Sequence, residues 1–438
     1  MNIIIAGAGK VGFNLAKTLC IGHNVTIIDK NSEALDRIQE SLDIMPLRGD
    51  VEDSNTYKNF TDKDVDLFIA VTNIDNVNLI SVLMAEAVLN IDRKFVRLQK
   101  HFFHDSAIQE KLNIDKLIFP IQLTSKAITS LLEYPKANNV KFFKYTDYKL
   151  ISVMVSSDFS PKYLDVKNFR IVGVEREKQF FIPTDDNVEI LPNDLVYFFG
   201  HESEILHECQ KLEFQTNREI SRCVVFGGEE LGVAIAKGLL DANRTVKLVE
   251  DNLQLCEVAD EALEGKADII NSKYRSHDVF EDEELDSADI FIAATNNDEF
   301  NIIKCLEAKE SGIKKVVAIN NEMEYYNLMH SLGIVVVRGP KISAYNTIME
   351  EISSTGVVIQ KSYCGAKATV FMRKVFRSSG LVKKKVKSLS VKKSRLFYMR
   401  NEEMFPFNEK IVLEENDLII AFSELKESAK VKQWIYEL

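Results

Sequence analysis

Three glycines and one carboxylate dominate the chemistry of the first thirty residues. Gly7-Ala-Gly-Lys-Val-Gly12 follows the apolar run Ile3-Ile4-Ile5, and Asp29 closes the next β-branched segment, Val25-Thr-Ile-Ile28. In a strand–loop–helix unit this spacing has a defined use. The first glycine permits the tight turn, the second lets a pyrophosphate approach the backbone, and the third lets helix and strand pack closely. The helix that starts at Lys10 and Val11 points its free N–H groups and positive dipole end at the phosphates. An acidic side chain after the second strand accepts hydrogen bonds from ribose hydroxyls and repels a 2′-phosphate, which favours NAD over NADP. The chemistry expected of Gly7, Gly9, Gly12 and Asp29 is therefore dinucleotide binding.

Further candidates lie where a parallel sheet would present its carboxyl edge. Asp50, in Arg48-Gly-Asp50, follows a third strand and is placed to lie beside an adenine ring. Thr72, Asn73 and Asp75, in Ala70-Val-Thr-Asn-Ile-Asp75, sit at a strand-to-helix junction, and Arg97 ends the following strand, in reach of a phosphate. The plainer role for Asp75 is helix capping.

The chain then repeats itself. Gly227-Gly-Glu-Glu-Leu-Gly232 follows Val224-Val225-Phe226 at an offset of 220, and Glu250 follows Asp29 at 221. Ala293-Ala-Thr-Asn-Asn-Asp298 and Glu415-Asn-Asp417 return at 223 from Ala70–Asp75 and Pro192-Asn-Asp194. The second copy departs from the first. Gly227, Gly232 and Glu250 keep their places, but Glu229 stands where the second glycine belongs, blocking close approach and opposing a pyrophosphate. Asn271-Ser-Lys273 replaces Arg48-Gly-Asp50. A mononucleotide or adenosine, which needs fewer phosphate contacts, remains a candidate there. Asp298, like Asp75, has helix capping as its plainer role.

These residues need an alternating frame. The helix after the first glycine loop carries Val11, Leu15, Ala16 and Leu19 at helical spacing. Ser32 is the expected N-cap of a helix around 33–41. Asp66-Leu-Phe-Ile-Ala70, Lys94-Phe-Val-Arg97 and Ile118-Phe119 read as strands, and Val77, Ile80, Leu83, Met84, Ala87 and Val88 as an apolar helical stripe. Alternation of this length implies a parallel sheet covered on both faces. A helix over Ser125–Tyr134 is ended by Pro135; short strands follow, with Asn193-Asp194 marking a turn. The expected fold class is α/β: two Rossmann-like parallel-sheet lobes, each followed by a small α+β lobe, as a tandem duplication. The expected boundaries are 1–135 and 221–345 for the Rossmann-like lobes and 141–203 and 358–438 for the small ones, with a polar link over 203–220.

Bulk properties narrow the class. The 438 residues exceed one hydrophobic core, and 46% hydrophobic with 28% charged is an ordinary globular composition. No apolar run approaches a membrane helix, and Met1-Asn2 leads directly into a strand with no signal peptide, so a cytoplasmic protein is expected. Six cysteines without CxxC spacing argue against a zinc or disulfide framework; Cys20 and Cys223 read as core. A net charge of −11 argues against nucleic acid as the main partner. Residues 361–400 nevertheless hold 13 Lys or Arg and no Asp or Glu, which leaves −24 for the rest. That stretch is either a solvated face or a contact for acidic protein, an anionic ligand or membrane headgroups. His101 and His104 have metal-compatible spacing but no third ligand. Trp434 is expected to pack a last helix onto its lobe. No hydrolase, metalloprotease, P-loop or kinase motif occurs.

The whole layout resembles the TrkA family, cytosolic nucleotide-binding subunits of bacterial Trk-type potassium uptake systems. The resemblance rests on Gly7–Gly12 with Asp29, Arg48-Gly-Asp50, Ala70–Asp75, Leu131-Leu-Glu-Tyr-Pro135 and the duplication, and it covers essentially the full chain. It implies two "regulator of potassium conductance" (RCK) halves, each a Rossmann-like lobe followed by a small C-terminal lobe. It further implies a homo-oligomeric ring, a tetramer, held peripherally beneath a membrane-embedded potassium channel or transporter subunit. NAD or NADH, with ATP and ADP as further candidates, would bias the ring and so the gate. The family pattern has a glycine where Glu229 stands. The rival readings are an NAD-dependent oxidoreductase and a nucleotide or redox sensor serving another transporter. The appended lobes carry no evident catalytic constellation, which favours a regulator over an enzyme.

Overall fold

A computed structural model describes residues 1–60, 64–100, 106–133, 137–164, 166, 169–209, 220–273, 279–353, 358–377, 380–389, 391 and 393–438. His101, His104 and Pro135 lie outside the described residues, as does most of the expected link. The chain divides into two compact units, one of Met1–Ser125 with Arg338–Met349, the other of Lys126–Val337 with Glu350–Leu438.

The first unit is built on β1 (Asn2–Ala6), α1 (Lys10–Leu19), β2 (Asn24–Asp29), α2 (Ser32–Ser41), β3 (Met45–Arg48), β4 (Val65–Ala70), α3 (Asp75–Glu86), β5 (Ile91–Arg97), α4 (Ser106–Lys111), β6 (Lys116–Ile118) and the start of α5 (Pro120–Glu133). Its six strands are ordered β3-β2-β1-β4-β5-β6 and all pair in parallel. Chain order reverses between β1 and β4, the point where doubly wound sheets bind ligands at the carboxyl ends of their strands. Ile3, Ile4 and Ile5 are all buried because a doubly covered strand has no solvent face. The cap of α2 is Asn31, not Ser32: Asn31 has extended backbone and its side chain accepts from the Ala34 amide, worth about 1 kcal/mol.

In the second unit, following the remainder of α5, come β7 (Asn139–Lys141), β8 (Lys149–Met154), β9 (Lys162–Tyr163), β10 (Phe169–Arg176), β11 (Gln179–Phe181), β12 (Glu189–Ile190), β13 (Leu195–Gly200) and α6 (Glu202–Cys209). A second parallel sheet then forms from β14 (Arg222–Phe226), α7 (Glu230–Asp241), β15 (Thr245–Glu250), α8 (Leu253–Ala262), β16 (Asp268–Asn271), α9 (Val279–Asp282), β17 (Ile290–Ala293), α10 (Asp298–Glu310), β18 (Lys315–Asn320), α11 (Tyr326–Ser331) and β19 (Val335–Arg338), followed by α12 (Pro340–Ser353), of which the part up to Met349 belongs to the first unit. Its order, β16-β15-β14-β17-β18-β19, copies the first. Last come β20 (Val358–Tyr363), β21 (Ala368–Lys374), β22 (Ser394–Arg400), β23 (Glu403–Pro406), β24 (Leu418–Glu424) and α13 (Leu425–Glu437).

Two five-stranded antiparallel sheets result, β11-β10-β13-β8-β7 and β20-β21-β24-β22-β23. They share one core. Tyr148, Leu150, Val172, Tyr197 and Phe199 of the first pack with Tyr363, Val370, Met372, Phe397 and Phe422 of the second. Each sheet also carries the same clamp. Asp194 accepts from Arg176 Nε and Nη2, both at 2.8 Å, and from the Leu191 amide. Asp417 accepts from Arg400 Nε and Nη2 and from the Glu414 amide.

Part of the basic stretch is neutralised at home. Lys361 pairs with Glu350, Lys367 with Glu175, Lys393 with Glu424, and Arg395 with Asp186. Lys383, Lys384, Lys385 and Lys387 remain exposed in a loop tied down by backbone bonds from Lys383 and to Lys384, and by Trp434 Nε1 donating to the Lys387 carbonyl. Trp434 also meets Phe407 edge-on, so α13 is pinned as expected. Cys223 is buried but Cys20 is half-buried, its Sγ bonded to the Lys17 carbonyl, so Cys20 is not core.

Candidate functional site

The glycine loop of the first sheet joins β1 to α1 at the reversal point. Gly7 has φ of +112°, a conformation L residues rarely adopt, and its amide bonds the Ile28 carbonyl. A Cβ on Gly12 would lie 1.9 Å from the Gly7 carbonyl oxygen, so only glycine lets α1 start this close to the strand. Gly9 differs: a Cβ there would meet nothing within 4 Å. The absent side chain leaves space above the loop, the feature a pyrophosphate requires. Lys10 opens α1, and Val11 packs beneath it.

The other candidates surround this loop. Asp29, at the end of β2, accepts from the amides of Ala8 (2.6 Å) and Asn31 (2.9 Å). Asp50 accepts from the Glu52 amide and pairs with Lys30 at 3.0 Å; the amide bond, then the ammonium, hold its carboxyl below the usual range. Thr72 and Asn73 form the β4–α3 loop. Arg97 is buried at the end of β5, where Nη1 donates to Asn73 Oδ1 at 3.2 Å. Its Nε is buried without a hydrogen-bond partner among the described residues. Burial lowers the Arg97 pKa and the Asp75 charge opposes that, so the guanidinium stays charged. A buried cation with an unused donor suits an anionic ligand.

Asp75 does not cap its helix. Its carboxylate reaches across to the amides of Gln99 and Lys100, both at 2.8 Å. Asp298 does the same to Asn321 and Glu322; burial raises its pKa while those bonds oppose the shift. Both are struts between two ligand-edge loops. Asn78, which no motif in the sequence singles out, belongs to the same frame. Fully buried on α3, it accepts from the Thr72 amide and hydroxyl and donates to the carbonyls of Thr72 and Arg97. Asn301 repeats this around Thr295. A polar residue inside an apolar helical stripe, recurring at 223, was the available signal.

The second loop keeps the frame. Gly227 has φ of +115°, and a Cβ on Gly232 would lie 1.8 Å from the Gly227 oxygen. Its ligand edge differs. Glu250 is only 2% exposed and accepts from the amides of Gly228 (2.6 Å) and Asn252 (2.9 Å). A Cβ on Gly228 would sit 2.8 Å from Glu250 Cβ and Cγ, so glycine replaces Ala8 where glutamate replaces Asp29. Strand register pairs Ala70 with Val96 and Ala293 with Ala318. Ile319 therefore stands where Arg97 does.

Two doubly wound parallel sheets with glycine-loop crevices, each followed by an antiparallel sheet, define a tandem Rossmann-like α/β protein. The TrkA-N domain model matches residues 3–120 and 223–340, one match on each parallel sheet. The chain belongs to the TrkA-N domain family. It is 29% identical over 374 residues to the Trk system potassium uptake protein TrkA of Halomonas elongata, covering 82% of this chain and 80% of that protein. It is 27% identical over 446 residues to the TrkA homolog of Archaeoglobus fulgidus, covering 99% of each. Among solved structures, the GsuK RCK domain aligns with a TM-score of 0.62 at 14% identity, covering 100% of this chain and 95% of that one. A GsuK channel bound to NAD aligns at 0.63 and 14%, covering 100% and 79%. These two likenesses concern the fold.

Proposed function

We propose that this protein is the nucleotide-binding regulatory subunit of a potassium uptake system, and that NAD or NADH binds in the crevice of the first Rossmann-like lobe. The single observation that carries this is the glycine loop: a +112° turn at Gly7, clear space beside Gly9, and Asp29 accepting from the Ala8 amide within it. Bound there, a dinucleotide's phosphates would face the α1 N-terminus and Arg97, and a ribose would displace backbone amides from Asp29. Asp50 would border the adenine. Thr72, Asn73 and Asp75 would hold the opposite rim. ATP and ADP share the adenosine and phosphate chemistry and compete for the same place.

Family membership and the potassium-uptake names of its relatives support the partner, a membrane-embedded Trk-type channel or transporter subunit. No helix among the described residues is long and apolar enough to cross a membrane. The protein would then act peripherally on the cytoplasmic face as a homo-oligomeric ring. In this scheme 1–135 and 221–345 are the Rossmann-like lobes, and 141–203 and 358–438 the small lobes that transmit the response. Nucleotide binding changes the balance between two arrangements of the ring, and the partner's gate follows. The role is regulatory and not catalytic.

Calorimetric titration with NADH, NAD, ATP and ADP tests the reading. Binding that disappears in Gly9→Glu and Asp29→Ala variants is expected. Undiminished binding in both, or no binding by the unaltered protein, would overturn it.

A further inference from the structure

The second crevice shows where Glu229 goes. Its backbone has φ −67° and ψ 174°, matching Gly9 at −68° and −176°, so the substitution leaves the loop path unchanged. The Glu229 side chain makes no cap bond to the amides of α7. The carboxylate instead spans the crevice and accepts from Asn296 Nδ2, on the β17–α10 loop. In the first lobe the equivalent Asn73 accepts from Arg97, and Gly9, at the position of Glu229, has no side chain to reach it. Two more exchanges accompany this one: Ile319 replaces the buried arginine, and Glu250 is drawn below the surface onto two backbone amides.

We infer that the second crevice is filled from within. The Glu229 carboxylate is a built-in anion in the place of a ligand phosphate, tying the glycine loop to the β17–α10 loop. The chain therefore senses nucleotide through its first lobe alone. Two of the exchanges make the second crevice less hospitable to a ligand anion, one by adding a carboxylate and one by removing the arginine; the third keeps the charge but buries it. A lobe carrying its own anion needs no arginine, and a carboxylate beside the helix N-terminus supplies the negative charge that the dipole favours. The Asn301 and Asp298 frames persist because they hold the loops that Glu229 joins. This inference rests on the proposed first-lobe site only for its claim about sensing; the claim about Glu229 stands on the second lobe.

The test uses the full chain and inorganic phosphate or ADP as probe. Gly9→Glu places the same carboxylate in the first lobe, giving a background with both crevices closed. Adding Glu229→Gly opens the second. The thermal midpoint of the Gly9→Glu/Glu229→Gly protein should rise by roughly 3 °C at ten times the dissociation constant of the probe. The Gly9→Glu protein should not respond. In the same Gly9→Glu background, Glu229→Gln, which keeps the bridge to Asn296, should leave the second lobe closed. Asn296→Ala in that background, which cuts the bridge but keeps the carboxylate, should lower the midpoint and stay unresponsive to phosphate.

A double variant that ignores phosphate and ADP would overturn the inference, as would two equal nucleotide sites per chain in the unaltered protein. If Glu229→Gly does not fold, phosphate response in the Gly9→Glu/Asn296→Ala protein becomes the deciding reading, and a response there refutes the internal anion. Loss of all nucleotide binding by the unaltered protein would sink the first-lobe site and leave the Glu229 result standing.

Discussion

Alanine at Gly9 and alanine at Gly12 add the same methyl group with opposite expected consequences. At Gly12 the new Cβ would lie 1.9 Å from the Gly7 oxygen. Ordinary contact begins near 3.4 Å, so α1 and the turn must separate by about 1.5 Å. Overpacking of this kind costs about 1–3 kcal/mol, or roughly 3–10 °C in the midpoint of a unit this size. At Gly9 no atom lies within 4 Å, and φ of −68° with extended ψ suits alanine. Reduced freedom of the unfolded chain contributes about +0.4–1 kcal/mol, and the poorer N-cap takes back a similar amount. Stability should hardly change. Dinucleotide binding should nevertheless fall steeply in Gly9→Ala, because the methyl group occupies the path of the pyrophosphate. Thermal unfolding and calorimetric titration of the two variants decide it. Full NADH affinity in Gly9→Ala, or a Gly12→Ala protein as stable as the parent, would refute the geometric argument.

Arg97→Ala should weaken NADH binding by about 1.5–3 kcal/mol, roughly tenfold to a hundredfold, as one charge-assisted bond is lost; unchanged calorimetric affinity would remove Arg97 from the site. Burial lowers the pKa of His330, with Glu175 opposing and Lys367 reinforcing the shift. The unfolded chain therefore takes up the proton first, and stability should fall as pH drops below about 6.5 toward the depressed native value. Chemical denaturation from pH 8 to 5.5 should show this loss in the parent and much less of it in His330→Gln. Lys383→Glu/Lys385→Glu should weaken association with partner-containing membranes at low ionic strength, the difference shrinking as salt is added; equal sedimentation of both proteins in low salt would exclude a role for this loop.

The α/β alternation and the first glycine loop were legible because their signals are local. Ile3–Ile5, Gly7 and Gly12 follow from the steric needs of one strand–turn–helix unit. Other features depended on partners distant in sequence. Asp75 resembles a helix cap until β5 brings the Gln99 and Lys100 amides to it. Asn193-Asp194 reads as a turn, but the aspartate's larger role is the Arg176 clamp, made only when β10 pairs with β13. Residues 361–400 form a basic run in sequence, yet Glu175 and Asp186, 192 and 209 residues before their partners, neutralise part of it. Asn31 and not Ser32 is the cap because its backbone is extended just before α2 begins, which residue type alone does not set.

The core shared by the two antiparallel sheets places a demand on synthesis. Tyr148, Tyr197 and Phe199 leave the ribosome long before Tyr363 and Phe422, which pack against them. At about 5–20 residues per second, the more than 200 residues between Phe199 and Phe422 represent roughly 10–45 s of translation. Through that interval the aromatic face of the first sheet has no native cover. A pause in translation, or a fragment ending after the first half, would leave that face available to chaperones or to other nascent chains.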